Sequence, residues 1–285
     1  MAQRVLYTTY NTLATKTNKK AGDKPMWEKE LNVAKAAAQE AGQAIMKIYD
    51  SPEIMQVDFK ADRSPLTSAD RAANDIIVTA LRRDFPSYAI LSEEDQDSLA
   101  RLQNDFCFVV DPLDGTKEFI KRNGQFTVNI ALAYRHKTVM GVIYVPVTRD
   151  LYHAAQGSGA FLVNERGEKT GLRVSERGLQ DGLRVVKSNS HDSPILEDFL
   201  TRHNLTQCVR MGSSLKGCLV AAGEAELYYR YNPTMEWDTA AMQCIVEEAG
   251  GIFRQMDDSP MTYNREDSRN SKGFYCINRQ ENRLR

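Results

Sequence analysis

Apolar residues recur at helical spacing between Met26 and Tyr49, where Leu31, Ala34, Ala38, Ala41, Ile45 and Ile48 share one side of a helix. A second stripe, Ala73, Ile76, Ile77, Ala80 and Leu81, predicts a helix that runs to about Phe85 and stops at Pro86. The polar stretch from Lys60 to Asp70 reads as the loop that feeds it, with Thr67 or Ser68 as the N-cap. Two short apolar runs, Tyr88 to Leu91 and Phe106 to Val110, predict strands, and Pro112 is expected to end the second. From Phe126 to Tyr134 apolar residues alternate. The Arg135 to Lys137 turn then leads into Val139 to Val145, Leu151 to Ala155 and Ala160 to Val163, an antiparallel meander. Gly157 and Gly159 join strand to strand, so they predict a hairpin turn and not a phosphate loop.

Beyond Leu183 the rhythm changes to alternating strand and helix. Strand Leu183 to Lys187, helix Pro194 to His203, strand Cys208 to Arg210 and helix Ser214 to Ala222 come first. Extended Ala225 to Tyr229, helix Asp238 to Ala249 and strand Phe274 to Asn278 complete the series. The expected organisation is α/β (α+β): a polar extension over 1–25, an antiparallel-sheet domain over 26–176 and a smaller α/β domain over 177–285. The change falls in the charged segment 165–182. A crevice between two such halves is a natural ligand site.

Composition narrows the function. A chain of 285 residues with 42% hydrophobic and 26% charged residues is globular in character. A net charge of -1 supplies no field for nucleic acid or an anionic membrane. No apolar run reaches membrane-spanning length. Five scattered cysteines without a CxxC pair predict free thiols in a reducing compartment, and four dispersed histidines argue against zinc. These features point to the cytoplasm, and none sets an oligomeric state.

Chemistry concentrates where apolar strands end in acid. Phe106 to Val110 runs into Asp111-Pro112-Leu113-Asp114-Gly115-Thr116, and Tyr88 to Leu91 runs into Ser92-Glu93-Glu94-Asp95. Buried carboxylates are costly unless something positive meets them, and an all-oxygen set suits a hard divalent cation. Local explanations compete. Asp70 can serve the first turn of its helix, Ser92 with Asp95 can form a capping box, and Asp238 can be an N-cap.

Glu93-Glu94, Asp111-Pro112-Leu113-Asp114-Gly115-Thr116 and Trp237-Asp238, in that order, resemble the Mg²⁺-dependent, lithium-sensitive phosphatase superfamily of inositol monophosphatases and fructose-1,6-bisphosphatases. The resemblance spans about residues 27 to 280. It implies the layered αβαβα sandwich of that superfamily. Lys117-Glu118-Phe119, Gly212-Ser213-Ser214-Leu215-Lys216 and Pro233 to Asp238 resemble the 3'(2'),5'-bisphosphate nucleotidase branch of the CysQ type. Tyr229 and Asn232 depart from it, standing where Pro and Gly are expected.

By this resemblance Glu93, Asp111 and the Leu113 carbonyl would hold one Mg²⁺, and Asp111, Asp114 and Asp238 another, with Glu94 in support. Asp70, Thr116 and Glu93 would orient and deprotonate the attacking water. Gly115 and Thr116 would receive the scissile phosphate. Ser213, Ser214, Lys216 and Arg230 would anchor a second phosphate, and His191 would meet the nucleotide. Tyr228, Tyr229 and Tyr231 offer either a face for a base or core packing. The implied activity is removal of the 3'-phosphate from the small-molecule substrate 3'-phosphoadenosine 5'-phosphate. The alternatives are an inositol monophosphatase or sugar bisphosphatase, and a non-catalytic phospholigand-binding regulator on the same fold.

Overall fold

The computed structural model describes residues 26–51, 57–59, 65–190 and 193–285. The extension 1–25, His191 and residues 60–64 of the expected loop lie outside the described residues. The first layer is α1 (Glu28–Tyr49) against α2 (Ser68–Asp84), joined by a ribbon of β1 (Val57–Phe59) and β2 (Pro65–Thr67) within the segment read as loop. Under it lies a seven-stranded sheet. Its strands, in chain and spatial order, are β3 (Ala89–Ser92), β4 (Phe106–Asp114), β5 (Thr127–Tyr134), β6 (Lys137–Val145), β7 (Asp150–Ala155), β8 (Gly159–Val163) and β9 (Lys169–Leu172). Only the β3–β4 pair is parallel, and the rest form the expected meander.

One short helix, α3 (Thr116–Ile120), follows β4 directly. The second sheet, in chain order, comprises β10 (Arg184–Ser188), β11 (Gln207–Met211), β12 (Leu227–Arg230), β14 (Ile252–Gln255) and β16 (Phe274–Ile277), with β11 and β14 at its edges. A two-stranded ribbon pairs β13 (Thr234–Met235) with β15 (Arg269–Asn270). Helices α4 (Pro194–Arg202), α5 (Leu215–Ala221) and α6 (Glu236–Glu248) complete the set.

Strand alternation sorts these pieces into layers. Phe108, Val110, Ile130 and Leu132 face α1 and α2, whereas Cys107, Val109, Ala131 and Ala133 face α5 and α6. In the second sheet Val186, Tyr228 and Phe274 meet α5 and α6, while Val185, Tyr229 and Tyr275 meet α4. The result is an αβαβα sandwich whose central helix layer is buried on both sides. Close approach there needs small residues. A Cβ on Gly141 would lie 2.5 Å from the Ala241 carbonyl oxygen, so α6 crosses β6 at the glycine.

Several local readings change in the tertiary structure. Pro112 does not end β4. The strand continues to Asp114 through an irregularity where the register with β5 shifts between Asp111 and Asp114, and a residue without an N–H is tolerated at such a point. Ser92 and Asp95 form no capping box, because the chain turns there and no α-helix begins. Ser92 Oγ instead donates to Asn74 Oδ1 at 2.7 Å, and Asn74 Nδ2 donates to Asp95 at 2.7 Å. The Gly157 and Gly159 turn is the expected hairpin, between β7 and β8. Its two N–H groups donate to the Glu248 carboxylate at 2.9 and 2.8 Å. Cys107, Cys218, Cys244 and Cys276 are buried free thiols, and Cys208 is an exposed one.

Candidate metal centre and substrate cavity

The carboxyl end of β4 is the hub. Asp111 sits opposite Asn129 in the ladder, with its carboxylate buried at 1% exposure and accepting from the Leu113 N–H at 3.1 Å. Asp114 pairs in register with Thr127, and Gly115 follows at φ 94°. At Gly115 a Cβ would lie 3.2 Å from both the Gln125 carbonyl oxygen and Ser213 Cβ, so the turn needs glycine on two counts. The Glu93 N–H donates to the Val110 carbonyl at 3.1 Å, which brings the end of β3 to the same place.

Asp238 arrives from α6. It is not the N-cap. It lies in the first turn and accepts from the Met235 N–H at 2.6 Å. Asp70 does the same in α2, where Thr67 caps the helix and donates its N–H to Asp70 at 2.7 Å. Each acid therefore performs the local capping task, and beyond it Asp238 lines the cavity while Asp70 Oδ1 meets Thr116, which lines it. The Thr116 hydroxyl lies 3.3 Å from Asp70 Oδ1 and 3.4 Å from the Leu113 carbonyl oxygen.

Oxygens of Asp111, Asp114 and Asp238 lie within 4.8 Å of one another. Burial, then the charges of Glu93, Asp114, Asp238 and Glu94, drive the Asp111 carboxyl well above the usual carboxylate range. Burial, then Asp114 and Glu93, pushes Asp238 up to about 7. Mutual repulsion in a dry site is relieved by protons or by a cation. The donors are all oxygen, which fits a hard divalent ion.

Polar residues on the inner face of β5 brace this cluster. Asn129 Nδ2 donates to Asp114 Oδ2 at 3.2 Å and to Ser214 Oγ at 2.8 Å. The Thr127 hydroxyl meets Ser213 Oγ at 2.6 Å. Sequence reasoning missed both, although two buried polar residues at alternating positions of Phe126 to Tyr134 were a readable signal. Ser214, expected at a helix terminus open to an anion, gives Asp114 Oδ2 both its N–H and its hydroxyl at 2.7 Å, so those donors serve the acid.

Lys216 and Arg230 line the same cavity of about 280 Å³ as Glu93, Asp114, Thr116 and Asp238. Lys216 is no solvated surface lysine. It is 7% exposed, donates to the Ser213 carbonyl, and lies 5.6 Å from the centre of the Tyr228 ring. Burial brings its pKa down to about 8 against the opposing pull of Asp114. The Nε of Arg230 is buried with no hydrogen-bond partner among the described residues. The tyrosines divide. Tyr228 lines the cavity, and Tyr229 packs in the core on the far side of the sheet with Tyr231 against it.

An αβαβα sandwich with a carboxylate cluster at the end of β4 and two basic residues lining the same cavity defines a phosphatase-type site. The chain matches the inositol monophosphatase family over residues 26–281 and belongs to it, a family of metal-dependent enzymes. It is 43% identical over 238 residues to the 3'(2'),5'-bisphosphate nucleotidase CysQ of Escherichia coli (strain K12), covering 83% of this chain and 95% of that protein. Against the protein of the same name from Buchnera aphidicola it is 38% identical, over 84% of this chain and 89% of the other. The crystal structure of CysQ from Bacteroides thetaiotaomicron superposes with a TM-score of 0.78 at 39% identity, over 89% of this chain and 99% of that one.

Proposed function

We propose that the protein is a 3'(2'),5'-bisphosphate nucleotidase that hydrolyses the 3'-phosphate of 3'-phosphoadenosine 5'-phosphate, giving AMP and phosphate, in the cytoplasm. The observation that carries this reading is one cavity lined both by Asp114 and Asp238, which cluster with Asp111, and by Lys216 and Arg230. A substrate with two phosphates uses both sets of residues, whereas a monophosphate has nothing for the second. The names of the 43% and 38% identical relatives support the same choice.

Glu93, Asp111, the Leu113 carbonyl, Asp114 and Asp238 are the residues that would hold Mg²⁺, two ions in this reading, with Asp111 shared and Glu94 in support. Such ions, when bound, offset phosphate charge, acidify a water and stabilise the leaving oxygen. Thr116 orients the attacking water and passes its proton to Asp70, to which the Thr116 hydroxyl is already bonded. Glu93 helps to orient that water. The N–H groups of Gly115 and Thr116 hold the scissile phosphate. Lys216 and Arg230 take the 5'-phosphate as charge-assisted donors, with Ser213 beside them and Ser214 acting through Asp114. His191 would contact the nucleotide from the segment after β10. In this scheme residues 26–176 form the metal-binding domain and 177–285 the substrate domain, with Asp238 crossing from the second to complete the first.

The test is Mg²⁺-dependent phosphate release from 3'-phosphoadenosine 5'-phosphate beside inositol 1-phosphate and fructose 1,6-bisphosphate, with and without lithium. A lithium-sensitive preference for the nucleotide is expected. Preference for either of the others would overturn the substrate assignment, and no release from any would favour a regulator.

A further inference from the structure

Gln125 lies in the connection between α3 and β5, outside every motif named above, and two separate loops of the second sheet close on it. Its Oε1 accepts the Gly212 N–H at 2.8 Å and also a hydrogen bond from Asn189 Nδ2. A backbone N–H can only donate, so the oxygen of the carboxamide must face Gly212. Gly212 follows β11 and leads through Ser213 to Lys216. Asn189 follows β10. Gln125 itself stands two residues before Thr127, which is in register with Asp114. One oxygen thus ties the strand that braces the carboxylates to the loop that carries the lysine anchor.

Contacts around this point leave little slack. A Cβ on Gly212 would come within 2.7 Å of the Gln125 carbonyl oxygen and 2.8 Å of Glu118 Cγ, so the loop presses directly on the first-sheet side. A parallel tie flanks it, where Ser190 Oγ donates to Glu118 and accepts from Lys121 Nζ at 3.0 Å.

We propose that Gln125 is a positioning residue that sets the spacing between the carboxylate cluster and the Lys216 anchor, and so selects for substrates that carry two phosphates. Without its oxygen the Gly212 N–H loses a partner and the loop bearing Ser213 and Lys216 shifts, while Asp114 keeps the support of Asn129 on β5 and Asp111 that of the Leu113 N–H. The substrate half of this inference rests on the nucleotidase reading above. The clasp does not.

The test compares Gln125→Met, which keeps length but removes the acceptor, with Gln125→Glu, which keeps an oxygen. For Gln125→Met, KM for 3'-phosphoadenosine 5'-phosphate should rise about tenfold. Turnover of p-nitrophenyl phosphate should stay within about twofold of wild type, since one phosphate does not span the two sides. Hydrogen exchange at the Gly212 amide should accelerate in the same variant, and Gln125→Glu should restore both readouts. Unchanged exchange at Gly212, an unchanged KM for the bisphosphate, or equal losses on both substrates would overturn the clasp, as would Gln125→Glu behaving like Gln125→Met. If the wild-type protein does not hydrolyse the bisphosphate, the nucleotidase reading fails, and the Gly212 exchange rates alone then decide the clasp.

Discussion

Two kinds of buried acid stand side by side in this molecule. Glu226 and Glu236, both at 0% exposure, are fully partnered. Glu226 accepts from the N–H, Nε and guanidinium of Arg184 and from Ser175 Oγ. Glu236 accepts from the N–H groups of Asn264 and Arg265 and from Arg265 Nε. Asp111, equally buried, faces other carboxylates. Burial pushes Glu226 up, yet the Arg184 hydrogen bonds more than offset it and leave its pKa below the usual value, whereas nothing comparable acts on Asp111. The paired acids hold the fold together. Asp111, ringed by carboxylates, is pushed toward its neutral form unless a cation offsets them, and that separates a site from a scaffold.

The sharpest way to break this comparison is Asp111→Asn. Turnover should fall about 10³-fold or more, because both proposed metal positions share this ligand. The metal-free variant should melt no lower than wild type, since the neutral carboxamide keeps the shape of the side chain and meets no repulsion from the neighbouring carboxylates. Near-normal phosphate release, or a lowered melting temperature in chelator, would place Asp111 with the scaffold acids.

The reciprocal change, Glu226→Gln, should cost about 2 kcal/mol of stability and leave kcat of the folded enzyme untouched. Because folding lowers this pKa, the stabilisation is complete above the ordinary value of 4.5 and drains away as pH falls through the lower folded value. Denaturant melts of the variant from pH 7 to 3 should therefore show a shallower acid slope than those of wild type.

Lys216→Ala should raise KM for the bisphosphate about tenfold with little effect on a monophosphate. Equal losses on both would remove its anchor role. The smallest effect is a pH dependence. Burial holds the Lys216 pKa near 8, so the free enzyme loses this positive charge as pH rises through that value. KM should climb above pH 8, and Lys216→Arg should flatten the climb, because guanidinium stays charged.

Much of this was legible in the chain itself. Helical spacing placed α1 and α2, and alternation from Phe126 to Tyr134 placed β5 with its apolar face toward α1 and α2. The short ribbons escaped because two or three residues carry no period. Pro112 misled because the rule that proline ends a strand yields where the ladder is already irregular. Thr127 and Asn129 were visible as polar residues on one side of an apolar strand, but their task is set by Ser213, Ser214 and Asp114, which lie far away in the chain or beyond the turn. Gln125 gives no sign at all, since its partners lie 64 and 87 residues away.

What the sequence by itself determined is where the longer helices and most of the core strands lie, and that two apolar strands end in acid. These follow from side-chain periodicity and from residues such as Asp-Pro and Asp-Gly, whose constraints act over a few bonds. The tertiary structure alone decided that Asp238 meets Asp111 and Asp114, that Lys216 is buried in the wall of the same cavity, and that Glu226 and Glu236 find arginines while Asp111 finds carboxylates. A capping aspartate reads the same along the chain whether its second oxygen faces water or another acid. Only packing sets that distance, and electrostatic energy in a dry site depends on distance above all.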